Sequence, residues 1–159
     1  FTSKSETDET IRARFLDLHA RVQSELPDAV YADPDTALAA IILFDQFSRN
    51  MFRGTAAAFS TDSLALGIAR NAVEKEFDAG LSADRRMFLY MPFMHSEVTA
   101  DQEHCIQLFA AMGADTKYAV EHRDIVARFG RFPHRNKALG RQSTADEIAF
   151  LGGHKGFGQ

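Results

Sequence analysis

A chain of 159 residues with 45% hydrophobic content is the size of one ordinary domain, and it can bury a core without metals or disulfides. Its formal charge of −4, from 18 Lys+Arg against 22 Asp+Glu, argues against a protein that coats nucleic acid with its whole surface. The single Cys105 excludes an internal disulfide, and no run of about 18 apolar residues is present to span a bilayer. The opening FTSKSETDET is polar where a signal peptide would be apolar, so a soluble protein of the reducing cytoplasm is expected. Because the chain starts at Phe1 rather than Met, part of the natural N-terminus is expected to be missing.

Ile11, Phe15, Leu18 and Val22 recur at spacings of four, three and four, which places them on one stripe of a helix from about Asp8 to Leu26. Pro34 can open a second helix, whose run ALAAIILF (37 to 44) is apolar all round and therefore suits a central, surrounded position, with Gly54 as its stop. Phe59, Ser60 and Leu64 read as staple, N-cap and staple partner, with Asp62 favourably placed in the positive first turn of a third helix reaching Gly80. Ser82 caps a shorter helix that Pro92 should interrupt. Thr99-Ala-Asp-Gln102 has the capping-box pattern for a helix ending at Gly113. Asp115 or Thr116 caps the next helix, which ends at Gly130, and Thr144-Ala-Asp-Glu147 is a further capping box before IAFL.

No stretch alternates with period two, and no Asn-Gly or Asp-Gly turn joins β-branched runs. The expectation is an all-α fold of antiparallel helical hairpins in one domain over residues 1–151, with residues 152–159 as a flexible tail. No consensus repeat with a period of about 34 residues is visible.

The chemistry-bearing residues fall in three places. Asp45, Arg49 and Arg53 are four residues apart and share a face of the central helix, where they read either as an ion-pair ladder or as an orienting carboxylate with an anion clamp. His95 and Glu97 follow Pro92; a deaminase-type H-x-E reading would need a C-x-x-C motif, which one cysteine cannot supply. Repeated E-x-x-H motifs are also missing, so no metal and no cofactor is expected. The third place is His122 to Arg141. Between Ile125 and Arg141 it holds Arg128, Arg131, Arg135, Lys137 and Arg141 with no carboxylate, while the rest of the chain carries 13 cations against 22 carboxylates. Arg131, His134 and Arg135 sit in a segment punctuated by Gly130 and Pro133 and flanked by Phe129 and Phe132. Guanidinium forks there suit a carboxylate or phosphate. The same arginines can instead tie the loop to Asp45, Glu97 or Asp124 inside the protein.

The blocks FDQFSRNMFRGTAAAFSTDSLAL (44 to 66), FLYMPFMHSE (88 to 97) and HRDIVARFGRFPHRNKALGRQST (122 to 144) closely resemble the bacterial DUF924 proteins, in the family's order and over most of the chain. The resemblance implies an all-helical fold related to the tetratricopeptide-repeat superfamily, a right-handed α-α superhelix, and no established activity. The family's motif residues correspond to Asp45, Gln46, Arg49, Asn50, Arg53, Gly54, His95, Glu97, His122, Arg123, and Arg128 through Asn136. Ser48 stands where the family usually has proline, and the Trp-Phe-rich first helix of the family has no counterpart here.

The leading expectation is a pocket for an anionic small molecule carrying a carboxylate or phosphate, with Arg49, Arg53, Arg128, Arg131 and Arg135 as ligand contacts. His95, His122, His134, Asp45 and Glu97 are the candidate catalytic groups, and no nucleophile with a dedicated base stands out. One alternative is a helical scaffold that receives an acidic peptide or protein tail. RNA binding with Phe129 and Phe132 as stacking surfaces is the third reading, disfavoured by the acidic remainder.

Overall fold

A computed structural model describes residues 5–154 of the chain, and among them the backbone is helical with no strand. The first helix, α1 (Ser5–Ser24), starts earlier and ends earlier than the sequence spacing places it. Phe15 and Val22 of its apolar stripe pack on the core, whereas Leu18 stays at the surface and His19 turns inward beside them. The imidazole can be buried because Ser48 meets it at 2.9 Å. Thr61 donates its hydroxyl proton to the Phe44 carbonyl at 2.7 Å, which leaves its oxygen free to accept from Ser48 at 3.0 Å, and the Ser48 oxygen free to accept from His19 Nε2. Ser48 thus joins α1 to the centre of the molecule.

The central segment is not one uniform helix. It runs as α2 (Pro34–Ile41), a wider π-helical turn (Ile42–Phe47) and a short α3 (Ser48–Met51). Asp33 caps it as its side chain accepts from Thr36 N–H at 2.8 Å. A π-turn changes which side chains face inward, and it commonly marks a functional position. Here it carries Phe44 and Asp45, both at 0% exposure, into the interior together. Burying a ring such as Phe44 contributes roughly 1.5–3 kcal/mol, which helps offset the cost of its charged neighbour. Helix geometry ends at Met51, and Gly54 takes its left-handed conformation (φ 77°) three residues further on.

After a 3-10 turn (Ala56–Phe59) comes α4 (Asp62–Glu74). Ser60 does not cap it: its hydroxyl returns to the Ala57 carbonyl at 2.9 Å, and Thr61 in the N-cap position has committed its hydroxyl to Phe44. The helix stops at Glu74 rather than continuing to Gly80, since Glu76 adopts a left-handed φ of 56° and a 3-10 turn (Phe77–Gly80) follows. Four alanine-sized or β-branched positions of α4, Ala65, Ile68, Ala69 and Ala72, lie fully buried against α2.

Pro92 does not break α5 (Ala83–Met94), which continues two residues beyond it. So close to a C-terminus, a proline forfeits one helical hydrogen bond without having a long following segment to disrupt. The capping box expected at α6 (Thr99–Ala111) also does not form: Gln102 is fully buried and gives its amide to the carbonyls of Met94 and Ser96, both at 2.6 Å. This ties the α5–α6 corner, which carries His95 and Glu97. At α7 (Lys117–Phe129), Asp115 accepts from Lys117 N–H at 2.8 Å, and Gly130 terminates the helix with φ 70°. The Thr144–Glu147 capping box is present at α8 (Ala145–Gly153), which extends through Gly152 and Gly153 rather than stopping before them. The remainder of the expected tail, residues 155–159, lies outside the described residues.

Successive helices pack on one another, α4 on α5, α5 on α6 and α6 on α7, around one hydrophobic cluster. A second, smaller cluster of Ile125, Val126 and Phe132, with Phe129 and Phe150 against it, joins the end of α7 to α8. The loop from Gly130 to Ser143 leaves this second cluster, and its Arg135 and Arg141 reach Asp62 at the start of α4 and Glu97 at the α5–α6 corner. No helix among the described residues is long and apolar enough to cross a membrane.

Candidate functional site

The π-turn delivers Asp45 to the α5–α6 corner, where His95 Nδ1 donates to its Oδ1 at 2.6 Å. Gln46 donates to the other carboxylate oxygen, and Arg49 Nη2 lies 3.7 Å from Oδ1. Burial by itself would raise the Asp45 carboxyl, but the His95 imidazole, then Arg49 and Gln46, outweigh it and hold the group down to about 2. With Nδ1–H committed to Asp45, a neutral His95 presents Nε2 as an acceptor, the arrangement of a base oriented by a carboxylate.

Arg49 turns from Asp45 towards α4. Its Nη1 and Nη2 lie 2.7 and 2.9 Å from the two carboxylate oxygens of Asp62, and Nη1 also donates to the Ala58 carbonyl. Arg135 arrives from the other end of the chain, in the 3-10 turn Pro133–Arg135, and its Nη1 lies 3.2 Å from the same Asp62. Both guanidiniums lie over the Phe59 ring, 4.7 and 4.8 Å from its centroid, and Arg135 is also 4.5 Å from the Phe132 ring. Two buried cations therefore share one carboxylate. Burial and the nearby Arg49 charge lower the Arg135 guanidinium to about 10, against the opposing pull of Asp62, Glu97 and Asp45. The Nε atoms of Arg49 and Arg135 are buried and have no hydrogen-bond partner among the described residues.

His122 and His134 complete the surroundings. The His122 ring sits 6.2 Å from that of His95 and 5.6 Å from that of Phe132, and its Nδ1 donates to the Tyr118 carbonyl at 2.7 Å. The His134 ring lies 5.4 Å from that of Phe132. Burial first, then the electrostatic influence of His95 on His122 and of Arg135 on His134, pushes both down to about 3, so both are neutral near pH 7.

Glu97 acts on the loop rather than in the cluster. Its carboxylate takes both terminal nitrogens of Arg141, at 2.7 and 2.9 Å, and accepts from Phe132 N–H at 2.8 Å. These bonds to Arg141 and Phe132 hold the Glu97 carboxyl below its usual range despite burial. Arg131 is likewise occupied, in a two-bond fork with Glu147 (2.7 and 2.9 Å), where Asn136 also donates. The same two-nitrogen grip by Arg131, then the Thr144 backbone, holds Glu147 down to about 2.

Of the expected ligand contacts, the structure brings Arg49 and Arg135 together with Asp45, His95, His122 and His134. Arg131 and Glu97 brace the loop instead. Arg53 lies on another face, paired with Asp8 of α1 at 2.8 Å, where Asn50 holds the same carboxylate. Arg128 is exposed over Phe129 and forms no ion pair among the described residues. The three charges on Arg128, Arg131 and Arg135 diverge because the left-handed turn at Gly130 and the turn at Pro133 redirect the chain between them. Asp124, a suggested internal partner, takes Arg123 instead. Phe132 is fully buried, so it offers no stacking surface to a base.

Asp62, Phe59 and Arg141 were not among the site residues expected from sequence, although Arg141 counts among the cations of the basic stretch. Asp62 and Phe59 read as ordinary helix-start residues, and nothing local shows that two arginines converge on them. Two surface clefts lie apart from this cluster. One of about 640 Å³ is lined by Tyr118, Glu121, Arg128, Phe129 and Phe150, and one of about 400 Å³ by Asp8, Arg12, Asn50 and Arg53. Among the described residues no group of three or more His, Cys, Asp or Glu is placed to hold a metal.

Fold and site together define an all-helical protein in which three separated sequence blocks meet in a buried arginine–carboxylate–histidine cluster. The chain belongs to the DUF924 family, bacterial proteins of unknown function, whose model matches residues 1–154. It is similar to the solved structure of a protein of unknown function from Agrobacterium tumefaciens, with 39% identity over 97% of this chain and 88% of that one, at a TM-score of 0.89. Nothing among the curated proteins matches it.

Proposed function

We propose that the protein binds an anionic small molecule through Arg49 and Arg135, with the Asp45–His95 pair as the adjacent acid–base group. The observation that carries this reading is a pair of unused buried donors: two guanidiniums converge on Asp62, and the Nε of each has no hydrogen-bond partner among the described residues. An added carboxylate or phosphate group would supply the missing acceptors, and buried forks bind such groups strongly. The neighbouring Asp45–His95 pair would then act on a proton of the bound molecule. The lone Cys105, fully buried and pushed up to about 12 by that burial, suits the reducing cytoplasm in which we place this activity.

A melting-temperature screen against nucleotides, phosphorylated metabolites and carboxylates tests the reading, since a ligand of the native state raises its stability. A stabilising anion should lose its effect in Arg135→Lys, which keeps the charge and loses the fork, and should keep it in Arg128→Ala. Silence across the panel, or equal effects in both variants, would sink the proposal.

A second reading, a tetratricopeptide-like scaffold holding an acidic peptide, draws support from exposed Arg128 beside the Phe129–Phe150 floor of the larger cleft. It predicts an acidic peptide partner that Arg128→Glu releases and Arg135→Lys does not.

A further inference from the structure

Asp62 meets the arginine pair as a ligand would. Its carboxylate is the planar, two-oxygen acceptor that a guanidinium fork fits, at 2.7 and 2.9 Å from Arg49 and 3.2 Å from Arg135. It is also the most exposed member of the trio, its side chain 22% exposed against 8% for Arg49 and 5% for Arg135. Its place in the chain lets it leave. Asp62 is the first residue of α4, and the N-cap Thr61 provides no side-chain cap, so a carboxylate rotated out to solvent still faces the positive end of the helix. Arg49 and Arg135 have no such freedom, being held over Phe59 and, for Arg135, against Phe132 as well.

We infer that the site takes a monocarboxylate, and that Asp62 is an internal carboxylate occupying the ligand's place until the ligand displaces it. This rests on the anion-binding reading and deepens it. The charge count favours one negative charge over two. With Asp62 rotated out, Arg49 keeps Asp45, 3.7 Å away and also engaged by His95, while Arg135 loses its carboxylate contact. A monocarboxylate restores the balance that Asp62 provided. A phosphate dianion would add a further negative charge beside a buried carboxylate, with no cation to match it. Displacement also explains how a site closed in the free protein admits a ligand: the entering carboxylate inherits the Nη contacts to Arg49 and Arg135 that Asp62 holds, and, not being tethered to the chain, can turn towards the buried Nε donors, while Asp62 moves to a helix terminus that tolerates it.

The test uses the full 159-residue chain, titrated with sodium formate, sodium acetate and inorganic phosphate against sodium chloride of equal ionic strength, as wild type and as Asp62→Asn. Removing the internal competitor should strengthen formate or acetate binding by about tenfold, because the competent state no longer has to be opened, with phosphate gaining nothing. No gain in Asp62→Asn would overturn the displacement. Phosphate binding as tightly as formate would overturn the monocarboxylate class while leaving an anion site standing. If no anion affects either protein, the anion-binding reading falls with the inference. Should Asp62→Asn be unfolded in dilute buffer, refolding by formate but not by chloride supports the displacement, and refolding by neither overturns it.

Discussion

Arg49 and Asp62, thirteen residues apart in the chain, meet in an ion pair with N–O distances of 2.7 and 2.9 Å, the longer of them a hydrogen bond from Nη2. The pair joins the end of the π-turned central segment to the first turn of α4, and Arg135 reaches the same carboxylate from the opposite end of the chain. Structure and proposed binding therefore depend on the same three side chains, which makes substitutions around them informative.

Removal of one buried partner leaves the others uncompensated. Arg135→Ala should cost about 3–5 kcal/mol in urea unfolding, whereas exposed Arg128→Ala should stay within about 0.5 kcal/mol. Equal losses would mean that the burial distinction between the two arginines does not govern stability.

The histidines set a pH dependence. His122 and His134 have folded-state values of about 3, well below an unfolded histidine near 6.5. The unfolded chain therefore binds more protons between these limits, so stability is complete above about pH 6.5 and falls as pH drops towards 3. At pH 5 the loss should be roughly 2 kcal/mol for each histidine. Urea midpoints measured from pH 7.5 to 5 should fall accordingly, and His122→Asn should have a shallower slope. A wild-type profile flat across this range would show that the imidazoles reach solvent.

Glu97 is expected to position the loop without touching ligand. In Glu97→Ala the Phe132 amide, which donates to Glu97 at 2.8 Å, should exchange faster with deuterium while amides in α2 keep their protection. Unchanged exchange at Phe132 would mean that Arg141 and the apolar cluster hold the loop alone.

Ser48 links His19 to Thr61 in a buried relay. Ser48→Ala should cost about 1–3 kcal/mol, the penalty for leaving a buried donor without its acceptor, and should leave formate binding intact. A neutral effect on the melting temperature would indicate that His19 finds another partner.

Features decided within a few residues were legible in the sequence. Gly130 ends α7, the Thr144–Glu147 box opens α8, and all-helical packing follows from the periodicity. Features decided by distant partners were not. The Thr99–Gln102 pattern failed because the Gln102 amide serves the α5–α6 corner, and Ser60 and Thr61 were drawn to other carbonyls. The same limit applies to the site. Asp45, Arg49, His95 and Arg135 stood out as charged groups beside apolar runs, but Asp62 looked like routine helix-start chemistry. The neighbouring Arg128 and Arg131 looked equivalent to Arg135 until the turns at Gly130 and Pro133 separated them.

The most direct measurement is NMR of the arginine Nε–H groups during a formate titration. Resonances assigned to Arg49 and Arg135 through Arg49→Lys and Arg135→Lys should move saturably with formate and not with chloride at equal ionic strength, while that of Arg128 stays still. If the Arg49 and Arg135 signals do not respond while formate binds elsewhere or not at all, the pair is a purely structural network and the proposed site does not exist.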